Sequence, residues 1–246
     1  MQHKVRGLVV RESPKGESGK LLTVLTERDG VITVNAKGVR KISAAYLKSA
    51  QLFALSDMLL YEKNGFYTLV EASLISDFYS IREDVTGFAL ACYICECAAV
   101  FSVPGEEGSD LLRLVLNMLY ATEKRLAPYK KIKSVFEIRL CSECGYAPET
   151  EGCSSCGESI AGGCVMDVAD GSIYCSSCSP YANGAVAVTK EVYSAISHIT
   201  ECTQNKLLAF SLSADGAELL NSVSEPFLLS VIERSPKTLP YLKSVL

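Results

Sequence analysis

Residues 141–178 read CSECGYAPETEGCSSCGESIAGGCVMDVADGSIYCSSC, with three Cys-x-x-Cys pairs and an isolated Cys164. A four-thiolate metal site uses two such pairs and pulls two separate turns of chain onto one ion, so this segment constrains the fold more than any other. Cys153/Cys156 and Cys175/Cys178 are separated by 18 residues, a spacing typical of such a site. Gly157 suits a tight knuckle after the first pair, and Val165-Met166 and Ile173-Tyr174 suit a small ribbon between the pairs. The expectation is one structural Zn2+ held by Cys153, Cys156, Cys175 and Cys178, with no coordination position open for chemistry.

Cys141-x-x-Cys144 competes for the ion, and helical phase argues against it. Ile132, Val135, Phe136, Leu140 and Cys144 form an apolar stripe at helical spacing, which places Cys144 in the core and Cys141 on the helix flank. Cys92 and Cys95 lie inside an apolar helix and read as buried thiols, while Cys164 and Cys202 have no pattern of their own. Eleven cysteines is an odd number, and the opening MQHKVRGLVVRES lacks the apolar stretch of an export signal. Metal ligands plus free thiols in a reducing compartment, the cytoplasm, are therefore expected rather than a disulfide framework. The most apolar run, residues 87–101, is shorter than a bilayer span and carries Glu96, so it reads as a buried helix and no membrane is expected.

The first eighty residues alternate short β-rich runs with turn signals: GLVVRE, KLLTVLTE, GVITVNAKGV, LSDMLLYEK and FYTLVEASLI. Asp29-Gly30 and Asn64-Gly65 are two-residue hairpin signals, and KISAAYLKSAQL has helical spacing. Five strands with a helix between the third and fourth is the order of an OB-fold; periodicity alone leaves an SH3-like barrel open. From about residue 84 the period becomes helical, with helices at VTGFALACYICECAAVF, LLRLVLNMLYATEKRL and KKIKSVFEIRLCSEC, then KEVYSAISHITEC and AELLNSVSEPFLLSVIER after the insert. The fold class is thus α+β and multidomain: an OB-fold over 1–80, a helical domain over 81–148 and 183–246, and a zinc-binding insert over 149–182.

The net charge is −4, but residues 1–50 hold ten Lys/Arg against four acids, a net of +6, and the other 196 residues carry −10. A basic barrel on an acidic body suggests a polyanion docking at the N-terminal module. Arg6, Arg11, Lys20, Lys37, Arg40 and Lys41 are the candidate phosphate contacts, and Tyr46, Phe53, Phe66 and Tyr67 the candidate stacking partners for bases. Residues 141–178 contain six acids and no Lys or Arg, so the insert repels phosphate and its metal is expected to be structural. The chain shows no Walker A loop and no Ser/His/Asp set. Its two histidines, His3 and His198, read as a surface residue and a packed helical residue.

GLVVRESPKGESGKLLTVLTERDGVITVNAKGVRK, LCSECGYAPETEGCSSCG and PKTLPYLKSVL, in this order, resemble the bacterial RecO family of DNA repair proteins. The resemblance implies an N-terminal OB-fold, a helical domain and a zinc-binding insert. It also implies a non-enzymatic, nucleoid-associated mediator of homologous recombination. Such a protein binds single- and double-stranded DNA, anneals complementary strands and, with RecR, helps load RecA onto DNA coated by single-strand binding protein. Lys124, Arg125, Lys130, Lys131 and Lys133 could receive an acidic tail, but a solvated helix end is the preferred reading of them. A Cys-x-x-Cys thiol oxidoreductase is disfavoured because Cys141/Cys144 sit at a helix C-terminus beside Glu143, where the dipole raises a thiol pKa. A zinc-ribbon regulator is disfavoured by the acidic insert.

Overall fold

Alternating apolar and polar residues produce five strands: β1 (Gln2–Lys15), β2 (Gly19–Thr26), β3 (Val31–Ala36), β4 (Leu55–Lys63) and β5 (Phe66–Ser76). The computed structural model describes residues 1–40, 46–179 and 185–246. The strands close into a barrel in the order β1-β2-β3-β5-β4, with β1 antiparallel to both β2 and β4 and β3 parallel to β5. This is the OB arrangement. Val9, Leu22, Val24, Val34, Met58 and Leu60 fill the interior, each 2% exposed or less.

Asn64-Gly65 makes the two-residue turn expected of it, with both residues at positive φ (51° and 78°). Asp29-Gly30 does not. β2 ends at Thr26 and β3 begins at Val31, so the loop has four residues. Thr26 is the physical reason: its N–H and its Oγ1 both donate to the Gly30 carbonyl (2.9 and 2.8 Å), and Oγ1 accepts from the Asp29 N–H at 3.0 Å. The helix expected over 41–52 begins on residues 41–45, outside the described residues; of the remainder only Lys48–Ala50 forms a 3-10 turn.

Two helices, α1 (Val85–Phe101) and α2 (Ser109–Glu123), belong to the same compact unit as the barrel, Met1–Glu123. Asp84 caps α1 by accepting from the Thr86 and Gly87 N–H groups. The loop between the helices is fastened to the β2–β3 loop: the Gly105 N–H donates to the Asp29 carbonyl (3.0 Å) and the Gly108 N–H to the Glu27 carbonyl (2.9 Å). A Cβ on Gly30 would lie 2.2 Å from the Val103 carbonyl, so these two loops meet backbone to backbone.

The second unit, Lys124–Leu246, contains α3 (Tyr129–Glu143), α4 (Lys190–Glu201), α5 (Ala214–Ile232) and α6 (Leu239–Val245). It also carries a small sheet of β6 (Cys164–Asp167), β7 (Ile173–Cys175) and β8 (Ala185–Val188) in the order β7-β6-β8. The first two strands are the expected ribbon; β8 adds a third. α3 packs on α5 and α4 and buries residues around most of its girth. That corrects the helical phase reading, because Cys141 is fully buried and Cys144 only half-buried. Cys144 ends the helix: the Tyr146 N–H returns to the Cys141 carbonyl (2.8 Å) and the Gly145 N–H to the Ser142 carbonyl (3.2 Å), with Gly145 at φ 86°.

Lys133 departs furthest from its expected solvent position. It is 1% exposed, with Nζ 2.7 Å from Glu137 Oε1 and 2.9 Å from Glu225 Oε2. Ser224 Oγ donates to Glu137 Oε2 at 2.7 Å, and Lys243 of α6 pairs with Glu225. Two cations thus balance two carboxylates inside the unit. Desolvation alone would raise the Glu225 pKa, but hydrogen bonds from Lys243 and Lys133 outweigh it and hold the carboxyl below its ordinary range. Lys133→Met should cost about 3–5 kcal/mol, since it strands a buried carboxylate. Because the folded pKa is depressed, the pairing stabilises the unit above the unfolded Glu value of ~4.3 and is lost as pH falls. Urea titrations at pH 7 and pH 4 check both points: the variant should show the large loss at pH 7 and a smaller one at pH 4.

Candidate nucleic-acid interface and metal centre

The outer face of β1–β2–β3 is set by the pleat. Leu22, Val24, Ile32 and Val34 point inward, which turns Leu21, Thr23, Thr33 and Asn35 outward. Register puts Arg11 opposite Thr23 and Thr23 opposite Thr33. The parallel pairing of Val34 with Tyr67 then carries the same row to Phe66, and Phe66 lies opposite Lys63 on β4. One row across the sheet therefore reads Arg11, Thr23, Thr33, Phe66, Lys63, with Arg11 and Phe66 three strand spacings apart, about 14 Å along the sheet. A second basic group sits at the end of this face. The Arg40 N–H donates to the Ser18 carbonyl (2.9 Å), which brings the turn carrying Lys37 and Arg40 against the β1–β2 turn with Lys15 and the acidic Glu17.

The six predicted phosphate contacts divide on this geometry. Arg11, Lys37 and Arg40 are exposed and have no carboxylate partner among the described residues. Lys20 is otherwise: its Nζ lies 2.7 Å from Glu12 Oε2 and also donates to the Ala50 carbonyl (3.3 Å), with the side chain 16% exposed. Arg6 is held by Asp57 at 2.8 Å with Glu27 at 3.9 Å, and its hydrogen bond to Asp57 raises its pKa and lowers that of Asp57. Arg6 lines a groove of about 540 Å³ together with Glu27, Asp29, Asp57 and Glu71, a mixed surface unlike the Arg11 face. Lys41 lies outside the described residues. Lys15 and Lys63 were not singled out in the sequence; their signal was position in the two turns, beside Pro14 and Asn64-Gly65.

Of the four candidate stacking residues only Phe66 is free, at 78% exposure. Phe53 is fully buried, with its N–H donating to the Val9 carbonyl (2.8 Å), and Tyr46 and Tyr67 pack against the barrel core. Both histidines have partners. His3 Nε2 is 2.7 Å from Glu62 Oε2, and His198 Nε2 is 2.9 Å from the Lys206 carbonyl.

In the second unit the sulfurs of Cys153, Cys156, Cys175 and Cys178 lie within 4.8 Å of one another, and no other such group of three or more occurs among the described residues. Two knuckles bring them there. The Gly157 N–H donates to the Cys153 carbonyl (2.8 Å) and the Cys178 N–H to the Cys175 carbonyl (3.0 Å). Ser154 clamps the knuckles together: its N–H and Oγ donate to the Ile173 carbonyl (2.8 and 3.0 Å), and its Oγ accepts from the Ile173 N–H (2.9 Å). The Cys175 N–H points at Cys153 Sγ (3.4 Å) and draws that thiol down to about 6. Cys156 is pushed up to about 12; the Glu158 N–H works against this and is outweighed by the neighbouring thiols and by desolvation. Four sulfurs this close resist full ionisation alone, and a dication removes the obstacle, so the cluster can hold a metal ion. By contrast, Cys144 is pushed up to about 11 by burial and Glu143, and Cys141 lies higher still through burial.

The family described as "Recombination protein O N terminal" matches residues 1–78, and "Recombination protein O C terminal" matches residues 82–240. The chain belongs to the recombination protein O family. It is similar to the DNA repair protein RecO of Acetivibrio thermocellus, at 27% identity over 98% of this chain and 96% of that protein. It is also similar to those of Clostridium perfringens (25% identity, 97% and 96% covered) and Heliobacterium modesticaldum (31% identity, 64% and 57% covered). The family's own division falls between β5 and α1, whereas α1 and α2 pack into the barrel's unit.

Proposed function

We propose that this RecO-family protein is a non-catalytic DNA repair mediator that binds single- and double-stranded DNA through its barrel, without reading sequence. The observation that carries the reading is the row Arg11–Thr23–Thr33–Phe66–Lys63 with Lys15, Lys37 and Arg40 at its end: cations with no carboxylate partner among the described residues, neutral hydroxyls and the exposed ring of Phe66 on an OB face. Phosphates need cations not already matched by carboxylates, and unstacked bases need a flat apolar partner. Phe66 supplies the partner. Strand annealing, cooperation with RecR in RecA loading, action on DNA coated by single-strand binding protein, and a cytoplasmic, nucleoid-associated location follow from the family and are part of the same proposal.

The ion is proposed to be a single structural zinc on Cys153, Cys156, Cys175 and Cys178. Tetrahedral Zn–S bonds of ~2.3 Å require sulfurs about 3.8 Å apart. Cys156 and Cys175 are already 3.9 Å apart. With four protein ligands the metal supplies rigidity and no reaction centre. Its loss should unfold the insert, since structural zinc contributes ~10–16 kcal/mol of binding free energy to folding. Metal analysis of purified variants tests this: Cys175→Ser should lose zinc and Cys141→Ser should keep it, and the reverse pattern would overturn the assignment.

Replacing both Lys37 and Arg40 by Glu should weaken every oligonucleotide by a similar factor. The salt dependence should flatten as phosphate contacts are lost, each worth about −0.7 in log–log slope on single strands and −0.9 on duplex. Phe66→Ala should weaken single strands by ~1–3 kcal/mol while duplex binding changes little, because only unpaired bases can stack. Fluorescence anisotropy over a salt series measures all three, and normal binding by the double variant would remove the barrel face from the reading.

A further inference from the structure

We propose that Cys164 is a resolving thiol for the metal centre, forming a disulfide with Cys175 under peroxide and so removing that ligand from the ion. The proposal rests on the zinc reading above. Cys164 on β6 stands directly opposite Cys175 on β7, and paired residues of antiparallel strands project to the same face. The ladder shows which kind of pair this is. The Asp167 N–H donates to the Ser172 carbonyl (2.9 Å), so counting back along the register makes Val165/Tyr174 a hydrogen-bonded pair and Cys164/Cys175 a non-hydrogen-bonded one. The Cys175 N–H agrees, since it points away from β6 to Cys153 Sγ. Such pairs hold their Cα atoms about 4.5 Å apart. That separation lies within the ~4.4–6.8 Å over which a disulfide closes without moving the backbone.

Cys164 is outside the group of four sulfurs and 5% exposed, so it stands beside the cluster without being one of its ligands. Both cysteines line one open cavity of about 720 Å³, with Ser159, Gly163 and Ser176 on its wall, through which a small peroxide reaches them. Hydrogen peroxide takes two electrons from the Cys175 thiolate: the S–O bond forms, the O–O bond breaks and hydroxide leaves, giving a sulfenic acid. The Cys164 sulfur attacks the Cys175 sulfur, the S–S bond forms, the S–O bond breaks, and the Cys164 proton departs with the hydroxyl as water. Three thiolates then remain for the ion. A thiol reductant returns the two electrons and restores the site.

The test is to treat the full chain with a few equivalents of hydrogen peroxide, follow zinc release with a chromophoric chelator, and map disulfides by mass spectrometry after alkylation. The expected main product joins Cys164 to Cys175, and Cys164→Ser and Cys164→Ala should each slow release by about tenfold because the attacking thiol is gone. Equal zinc content of both variants before oxidation shows that they fold. A product pairing only Cys153, Cys156, Cys175 and Cys178, with Cys164 reduced and release unchanged in the variants, overturns the proposal. Absence of zinc from the untreated protein overturns the zinc reading instead, and the disulfide map still decides the pairing of Cys164.

Discussion

Two rungs of parallel pairing, Val34 with Tyr67 and Asn35 with Thr68, carry more of the first unit's organisation than any other contact. The antiparallel pairings of β1 with β2 and β4, of β2 with β3 and of β4 with β5 make a five-stranded sheet with two free edges. The parallel rungs join those edges and remove them, which also removes a template for pairing with other chains. They align side chains as well as backbones. Val34 and Tyr67 turn toward the core, so Thr33 and Phe66 turn outward together and the row from Arg11 to Lys63 becomes continuous. A slip of one residue would bury Phe66 and expose Tyr67.

Charge in this protein is sorted by whether a carboxylate stands within reach. Arg6, Lys20 and Lys133 look alike in the sequence to Arg11, Lys37 and Arg40, yet the first three are matched by Asp57, Glu12 and Glu137. A matched cation has to give up its carboxylate before it can meet a phosphate, and the released carboxylate then repels the ligand. An unmatched one only releases counterions. The basic excess of the first fifty residues therefore overstates the cations free to act and understates their concentration on one face.

Regular elements were legible because their signals are local. The helix read over VTGFALACYICECAAVF is α1 residue for residue, and LSDMLLYEK is β4. What escaped the sequence depends on contacts between distant residues. Thr26 converted a two-residue hairpin into a four-residue loop through its own hydroxyl. Phe53 is no different from Phe66 in sequence and became core because its backbone joins β1. Lys133 is buried only because Glu225 arrives from a helix 92 residues away. β8 was missed because AVAV is four residues long and follows its partner strand by many residues, though its alternation was visible. The four clustered cysteines were legible for the opposite reason: their spacing is itself the geometric requirement.

The insert's sheet has strands of four, three and four residues, too little to be stable by itself. Its attachments explain what it does for the second unit. The Glu149 N–H donates to the Gly171 carbonyl (3.0 Å), Tyr193 Oη of α4 donates to the Thr150 carbonyl (2.8 Å), and Ser230 Oγ of α5 donates to the Val168 carbonyl (3.0 Å). Gly171 is needed there: at φ 84°, a Cβ would sit 2.9 Å from the Phe227 ring. The insert thus ties the chain leaving α3 to both α4 and α5, and the stiffness of that tie depends on the cysteine cluster because Ser154 and Cys175 belong to the knuckles themselves. An acidic, cation-poor segment is well suited to this task. Its four clustered sulfurs suit a dication, and with six acids and no Lys or Arg over residues 141–178 it offers a phosphate no cation to pair with.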